Sequence, residues 1–132
     1  MNKLHATITE IETADSISMV NLDVDGIKFC SIIIETPETA SYLKTGNQVE
    51  IVFKETEVSI AKRDYSDISL SNKLPVKINR IIRGKILSEL LMDFYNNRIS
   101  SIIPTHFVDR QKLKIGDEVY AMIKSNEIMI MP

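Results

Sequence analysis

The polar residues best placed to do chemistry are those that recur at the ends of segments: Asn2-Lys3 and Asn72-Lys73, and then Lys54 and Lys124. Ser69-Leu70-Ser71 precedes the second Asn-Lys pair, and Lys124-Ser125-Asn126 stands between two apolar runs near the C-terminus. Hydroxyls, carboxamide NH₂ groups, ammonium groups and turn N–H groups are donors suited to a small tetrahedral oxyanion. The plainer explanation is that serine and asparagine begin strands and turns while lysines face solvent. Residue types alone favour that explanation.

Catalytic sets are scarce. His5 and His106 are isolated from each other, and nothing near Cys30 would activate its thiol, so it reads as packed and inert. Asp23-Val24-Asp25-Gly26 resembles part of a calcium loop but lacks the spaced oxygen ligands that should follow, and reads as a hairpin turn. Met122, Met129 and Met131 lie among apolar residues without interleaved histidine or cysteine, which suits packing better than a soft metal. These observations point to a binding protein, with no catalytic residues, no metal ligands and no cofactor.

The elements that must position the donors come in two copies. Shifting the 132-residue chain by 70 positions aligns Asn2-Lys3-Leu4 with Asn72-Lys73-Leu74 and Ser31-Ile32-Ile33 with Ser101-Ile102-Ile103. Leu43-Lys44, Gly46, Val49, Lys54, Glu57 and Ile60 likewise meet Leu113-Lys114, Gly116, Val119, Lys124, Glu127 and Ile130. The shift yields 17 identities over 62 paired positions, where roughly four are expected by chance. The chain is a tandem duplication, divided into residues 1–62, a linker at 63–70, and residues 71–132.

Period-two alternation predicts strands over Ala6–Ile11, Ile17–Val24, Ile27–Ile34, Val49–Phe53 and Glu57–Ile60, with Asp25-Gly26 turning a hairpin. Thr36-Pro37 predicts the start of a short helix ending before Gly46, with a second helix near His106–Leu113. Val49–Phe53 and Glu57–Ile60 are expected to close the first unit. The fold class is thus mainly β: two tandem OB-like five-stranded small barrels, each with one short helix. Units this small are expected to share an interface or to form a homo-oligomer.

Composition narrows the partners. Charged residues make up 26% of the chain and its net charge is −2, divided as −5 over residues 1–62 and +3 over 63–132. Eight aromatics, unclustered with the basic residues, offer no stacking platform for nucleic acid. One cysteine, no signal-like N-terminus and no long apolar run fit an unanchored cytoplasmic protein without membrane insertion.

Two stretches carry a family resemblance. Ser69-Leu70-Ser71-Asn72-Lys73-Leu74 is similar to a Ser-Ala-Arg-Asn-Gln-Leu motif, and residues 113–125 are similar to Leu-Lys-x-Gly-Asp-x-Val-x-Ala-x-Ile-Lys-Ala-Ser. In the first unit, residues 43–49 and 53–58 occupy the same places. The chain resembles tandem molybdate-binding Mop domain proteins, the molbindins of the TOBE superfamily. That resemblance implies a cytoplasmic protein binding molybdate or tungstate for storage, buffering or sensing, with transporter components as partners. It also implies oxyanion sites at domain or subunit boundaries. By position these comprise Ser69, Ser71, Asn72, Lys73, Lys124, Ser125 and Asn126, with Asn2, Lys3, Lys54 and Thr56 as first-unit equivalents. Ser71 stands where the family has arginine, and Glu55 replaces a small residue. The alternative is a regulatory or structural domain that has kept the barrel and lost the ligand.

Overall fold

The computed structural model describes residues 1–63 and 68–132; residues 64–67 of the expected linker lie outside the described residues. The first half contributes β1 (Asn2–Ala14), β2 (Ile17–Val24), β3 (Ile27–Ile33), β4 (Gln48–Phe53) and β5 (Ser59–Lys62). The second contributes β6 (Asn72–Arg83), β7 (Leu87–Phe94), β8 (Asn97–Pro104), α1 (Thr105–Arg110), β9 (Glu118–Ile123) and β10 (Met129–Met131). Single 3-10 turns at Glu55–Glu57 and Ser125–Glu127 precede the final strand of each half.

The alternation of buried and exposed residues along β1, β2, β6 and β7 puts one face of each strand into the core. Leu4, Ile8, Leu22, Ile51 and Phe53 pack there from the first half, with Leu74, Ile78, Leu90, Met92 and Phe94 from the second. The long strands β1 and β6 each break register once, between Ile8 and Glu10 and between Ile78 and Arg80. An extra residue of this kind bends a strand, letting each long strand pair with β2 or β7 at one end and β4 or β9 at the other. At the bend Gly46 and Gly116 donate to the carbonyls of Ile8 and Ile78 at 2.7 and 2.8 Å. Both glycines have φ near +94° (93° and 95°), a conformation that a side chain would strain.

The closing strands are exchanged between the halves. One sheet has the order β10-β4-β1-β2-β3 and the other β5-β9-β6-β7-β8. β5 therefore pairs with β9, Ser59 opposite Met122, and β10 pairs with β4, Met129 opposite Val52. The expectation that the strand after Glu57 closes its own unit is corrected. The cause is packing of the preceding turn: Val58 and Ile128 are buried, and their carbonyls accept from the hydroxyls of Ser101 and Ser31 of the opposite half, each at 2.7 Å.

The helix expected in each half forms only in the second, among the described residues. Residues 36–43 make successive turns, with Thr39 and Ala40 N–H both donating to the Thr36 carbonyl. Thr39 Oγ1 accepts from the Thr36 N–H at 2.9 Å and donates back to its carbonyl at 3.2 Å, closing a local turn, and the Leu43 and Lys44 N–H groups then bond only three and two residues back, so the helical ladder is not continued. At the corresponding place Asp109 is held by Arg83 instead, leaving the backbone of α1 to its own ladder. That ion pair, exposed on both sides, draws the Asp109 carboxyl below its usual range through the guanidinium hydrogen bonds and raises Arg83.

Candidate functional site

The two Asn-Lys segments sit at the start of β1 and β6, beside the 3-10 turn that follows β4 or β9. In the second half, Asn72 pairs with Ile123 in the β6–β9 ladder, so Ser71 and Lys124, flanking that pair, come together at one end of the sheet. Ser71 Oγ and Ser125 Oγ lie 3.1 Å apart, in hydrogen-bond contact at an exposed position. Lys124 caps this turn and Asn126 lies within it, both exposed. The turn is closed by the Glu127 N–H donating to the Lys124 carbonyl at 3.0 Å. Ser69 is exposed and Lys73 half-buried.

The corresponding place in the first half has the same backbone and different chemistry. Asn2 pairs with Phe53, and Lys54 and Thr56 are exposed around the turn Glu55–Glu57. Glu55 Oε1 stands 2.7 Å from the ammonium of Met1, whose hydrogen bond holds the Glu55 carboxyl below the usual carboxylate range. Glu57 turns back to accept from the Lys54 N–H at 2.9 Å, occupying a turn donor. Met1, Lys54, Glu55, Thr56 and Ile102 line a shallow depression there. An oxyanion entering it meets the Glu55 carboxylate and Ile102 beside Lys54, and the Met1 ammonium, already paired with Glu55, is only partly available to the anion.

The two asparagines serve a different purpose from the hydroxyls. Asn72 is fully buried; its Nδ2 donates to the Cys30 carbonyl at 2.9 Å and its Oδ1 accepts from the Cys30 N–H at 2.7 Å. Asn2 does the same to Ser100 at 2.9 and 2.7 Å. Each carboxamide imitates a peptide group and satisfies one residue of the opposite half, giving a pseudo-twofold pair of clamps. The donors committed to these bonds anchor the segments that carry Ser71 and Met1. Lys3 is exposed on β1, outside this clamp.

Sequence reasoning overlooked Ser31 and Ser101. Both are fully buried and donate across the half-to-half boundary to Ile128 and Val58. The signal was available: a serine is kept at the same place in both copies, inside an otherwise apolar strand. Together with the asparagines these hydroxyls seat each turn on the opposite half. Among the described residues no cluster of three His, Cys, Asp or Glu could hold a metal ion, and no helix is long and apolar enough to cross a membrane.

The TOBE domain family matches twice, over residues 1–60 and 68–130. The molybdenum import ATP-binding protein ModC of Brucella abortus is 32% identical over 84 residues, which are 63% of this chain and 23% of ModC. This chain therefore corresponds to less than a quarter of that relative's length. Molybdenum-pterin-binding protein 1 of Clostridium pasteurianum is 35% identical over 65 residues, 48% of this chain and 96% of the relative. Among solved structures, the cytoplasmic molybdate-binding protein ModG, with molybdate bound, has a TM-score of 0.91 at 20% identity, covering 98% of this chain and 94% of ModG. A molybdate-binding protein from Sporomusa ovata has a TM-score of 0.50 at 27% identity, covering 51% of this chain and 100% of that one. The ModG likeness bears out the mainly β, tandem OB-like architecture along nearly the full chain. With both of its halves matched, this chain belongs to the TOBE domain family.

Proposed function

We propose that this protein binds a tetrahedral oxyanion, molybdate or tungstate, as a cytoplasmic store, buffer or sensor, without catalysis. The observation that carries the proposal is the Ser71–Ser125 hydroxyl pair beside exposed Lys124 and Asn126, where two recurrent segments meet at an exposed turn. Hydroxyls, a carboxamide and an ammonium can surround an anion with donors while adding only one full positive charge. Such a site selects by size and donor geometry. Support comes from the names and bound ligand of the relatives, ModC, the molybdenum-pterin-binding protein and ModG.

Within this proposal Ser71, Lys124, Ser125 and Asn126 are the binding groups, with Ser69 and Lys73 at the margin. Asn72 and Asn2 position the site through their clamps. Lys3, Lys54 and Thr56 surround the weaker first-half position, where Glu55 opposes anions. A homo-oligomer would place further groups of a second copy over the exposed turn. Transporter components are the proposed recipients or sources of the anion.

Isothermal titration with molybdate, with sulfate as the control, tests the reading. Micromolar or tighter binding of molybdate with little response to sulfate is expected. Heat from neither anion, with an unchanged melting temperature, overturns it. That outcome favours the second reading, a partner domain that has kept the fold and lost the ligand. The replacement of the family arginine by Ser71 is the observation on its side.

A further inference from the structure

The exchanged strands close the two sheets unequally. β5 forms four ladder pairs with β9, from Ser59–Met122 to Lys62–Val119. β10 forms three with β4, from Met129–Val52 to Met131–Glu50. At the position of Lys62 the other sheet has Pro132, which has no N–H to give to a ladder.

β5 is also pinned from the side. Arg63 follows it directly and donates to the Val76 carbonyl at 3.3 Å and the Val119 carbonyl at 3.5 Å. The guanidinium stands 5.7 Å from the Tyr120 ring centre and 3.8 Å from Glu118 Oε2. These contacts tie the end of β5 to both β6 and β9. In the first sheet Gln48 and Glu50 occupy the places of Glu118 and Tyr120, so the ring is missing there. Met129 and Met131 are each nearly half exposed, at 45 and 46%. Ile128 is the last fully buried residue on that side, hydrogen-bonded through its carbonyl to Ser31, and within β10 Ile130 packs partly buried against the core.

The weakly held strand is continuous with the candidate site. Ser125 lies four residues before Met129, and the turn Ser125–Glu127 runs through Ile128 into β10. A ligand that fixes Ser125 against Ser71 restrains the segment from which β10 departs. Release of β10 frees the backbone edge of β4 at Glu50–Val52 and loosens the turn that carries Ser125.

We infer that β10 is a detachable closing strand whose docking is coupled to anion occupancy of the Ser71–Ser125 turn, while Arg63 locks β5 in place. The coupling rests on the oxyanion reading; the unequal closure does not. Native-state hydrogen exchange by NMR on the full chain tests both, comparing the hydrogen-bonded amides of Met129–Met131 with those of Ser59–Lys62. Without ligand, the β10 amides are expected to exchange at least about tenfold faster than the β5 amides. Equal rates overturn the detachable strand. Arg63→Ala, and independently Tyr120→Leu, should bring β5 exchange toward the β10 rate; no change in either variant removes the lock. Molybdate at a concentration that calorimetry shows to be saturating should slow β10 exchange several-fold and leave β5 unaltered. Saturation without that slowing overturns the coupling. Absence of molybdate binding by calorimetry overturns the oxyanion reading and the coupling with it, while the ligand-free rates still decide the unequal closure.

Discussion

The two turns that follow β4 and β9 have one backbone and opposite chemistry. Lys124-Ser125-Asn126 presents hydroxyl, carboxamide and ammonium donors next to Ser71, whereas Lys54-Glu55-Thr56 sets a carboxylate against the ammonium of Met1. Both are seated identically, by a buried asparagine at the start of the neighbouring strand and a buried serine from the opposite half. The duplication has thus preserved the mount while the exposed groups diverged. Conserving the buried polar groups has a physical basis, since a buried unsatisfied peptide group costs free energy whatever the protein binds. Exposed turn positions carry no such penalty and are free to change.

The largest effect should come from breaking the mount. Asn72→Ala leaves the part-buried Cys30 N–H and carbonyl without their side-chain partner, and urea unfolding should show a loss of about 2–4 kcal/mol. A stability within experimental error of the parent would show that the carboxamide clamp is dispensable. Next in size is an exchange of charge between the turns. Ser125→Glu should weaken molybdate binding by at least about tenfold in calorimetry, through repulsion of the dianion. The reciprocal Glu55→Ser should raise the number of anions bound per chain, and an unchanged stoichiometry would show that Glu55 is not what separates the two turns. Lys124→Ala should weaken binding several-fold with little change in melting temperature, since this lysine is exposed. Unchanged affinity would remove it from the site.

The smallest effect sharpens the contrast between α1 and the turns at residues 36–43. Arg83 lowers the Asp109 carboxyl in the folded protein. A carboxyl lowered on folding adds stability at pH values above its unfolded range, and that contribution disappears as pH falls through the folded value. Both groups are exposed, so solvent screening keeps the contribution slight. Asp109→Asn should therefore lower the melting temperature slightly at pH 7 and not at all below the folded carboxyl range. A pH-independent difference would assign the effect to helix packing.

Much of this was legible in the residues. The alternation over Ala6–Ile11 placed the first strand, which the structure extends to Asn2–Ala14 with Leu4, Ala6 and Ile8 on its buried face. Asp25-Gly26 turned its hairpin, with φ of 51 and 85°. Lys124 was singled out because the copies align at Lys54, Ser71 and Ser125 because they stand beside such recurrent positions and match the family motifs, and the structure brings the two hydroxyls into contact. The helix at residues 36–43 was misjudged because Thr36-Pro37 also suits a turn: after the Ala40 N–H reaches the Thr36 carbonyl, the Leu43 and Lys44 N–H groups bond only three and two residues back, and the ladder is not continued. Asn72 looked like a ligand donor because sequence gives a residue type without saying which way its carboxamide faces.

Sequence by itself determined the duplication, the strands, the hairpin turn at Asp25-Gly26, and the residue types offered at each turn. Tertiary structure alone decided which half each closing strand completes. The copies are similar enough that the apolar pattern of Ile60 suits β4 as well as β9, and no periodicity can discriminate between two near-equivalent edges. The choice lies in contacts between residues distant along the chain. Ser101 reaches the Val58 carbonyl, and Arg63 holds the Val76 and Val119 carbonyls. Chain geometry agrees with them. In the exchanged arrangement β5 and β6 both border β9, with Lys62 opposite Val119 and Asn72 opposite Ile123, so their ends are roughly 16 Å apart, within the reach of the number of residues between them.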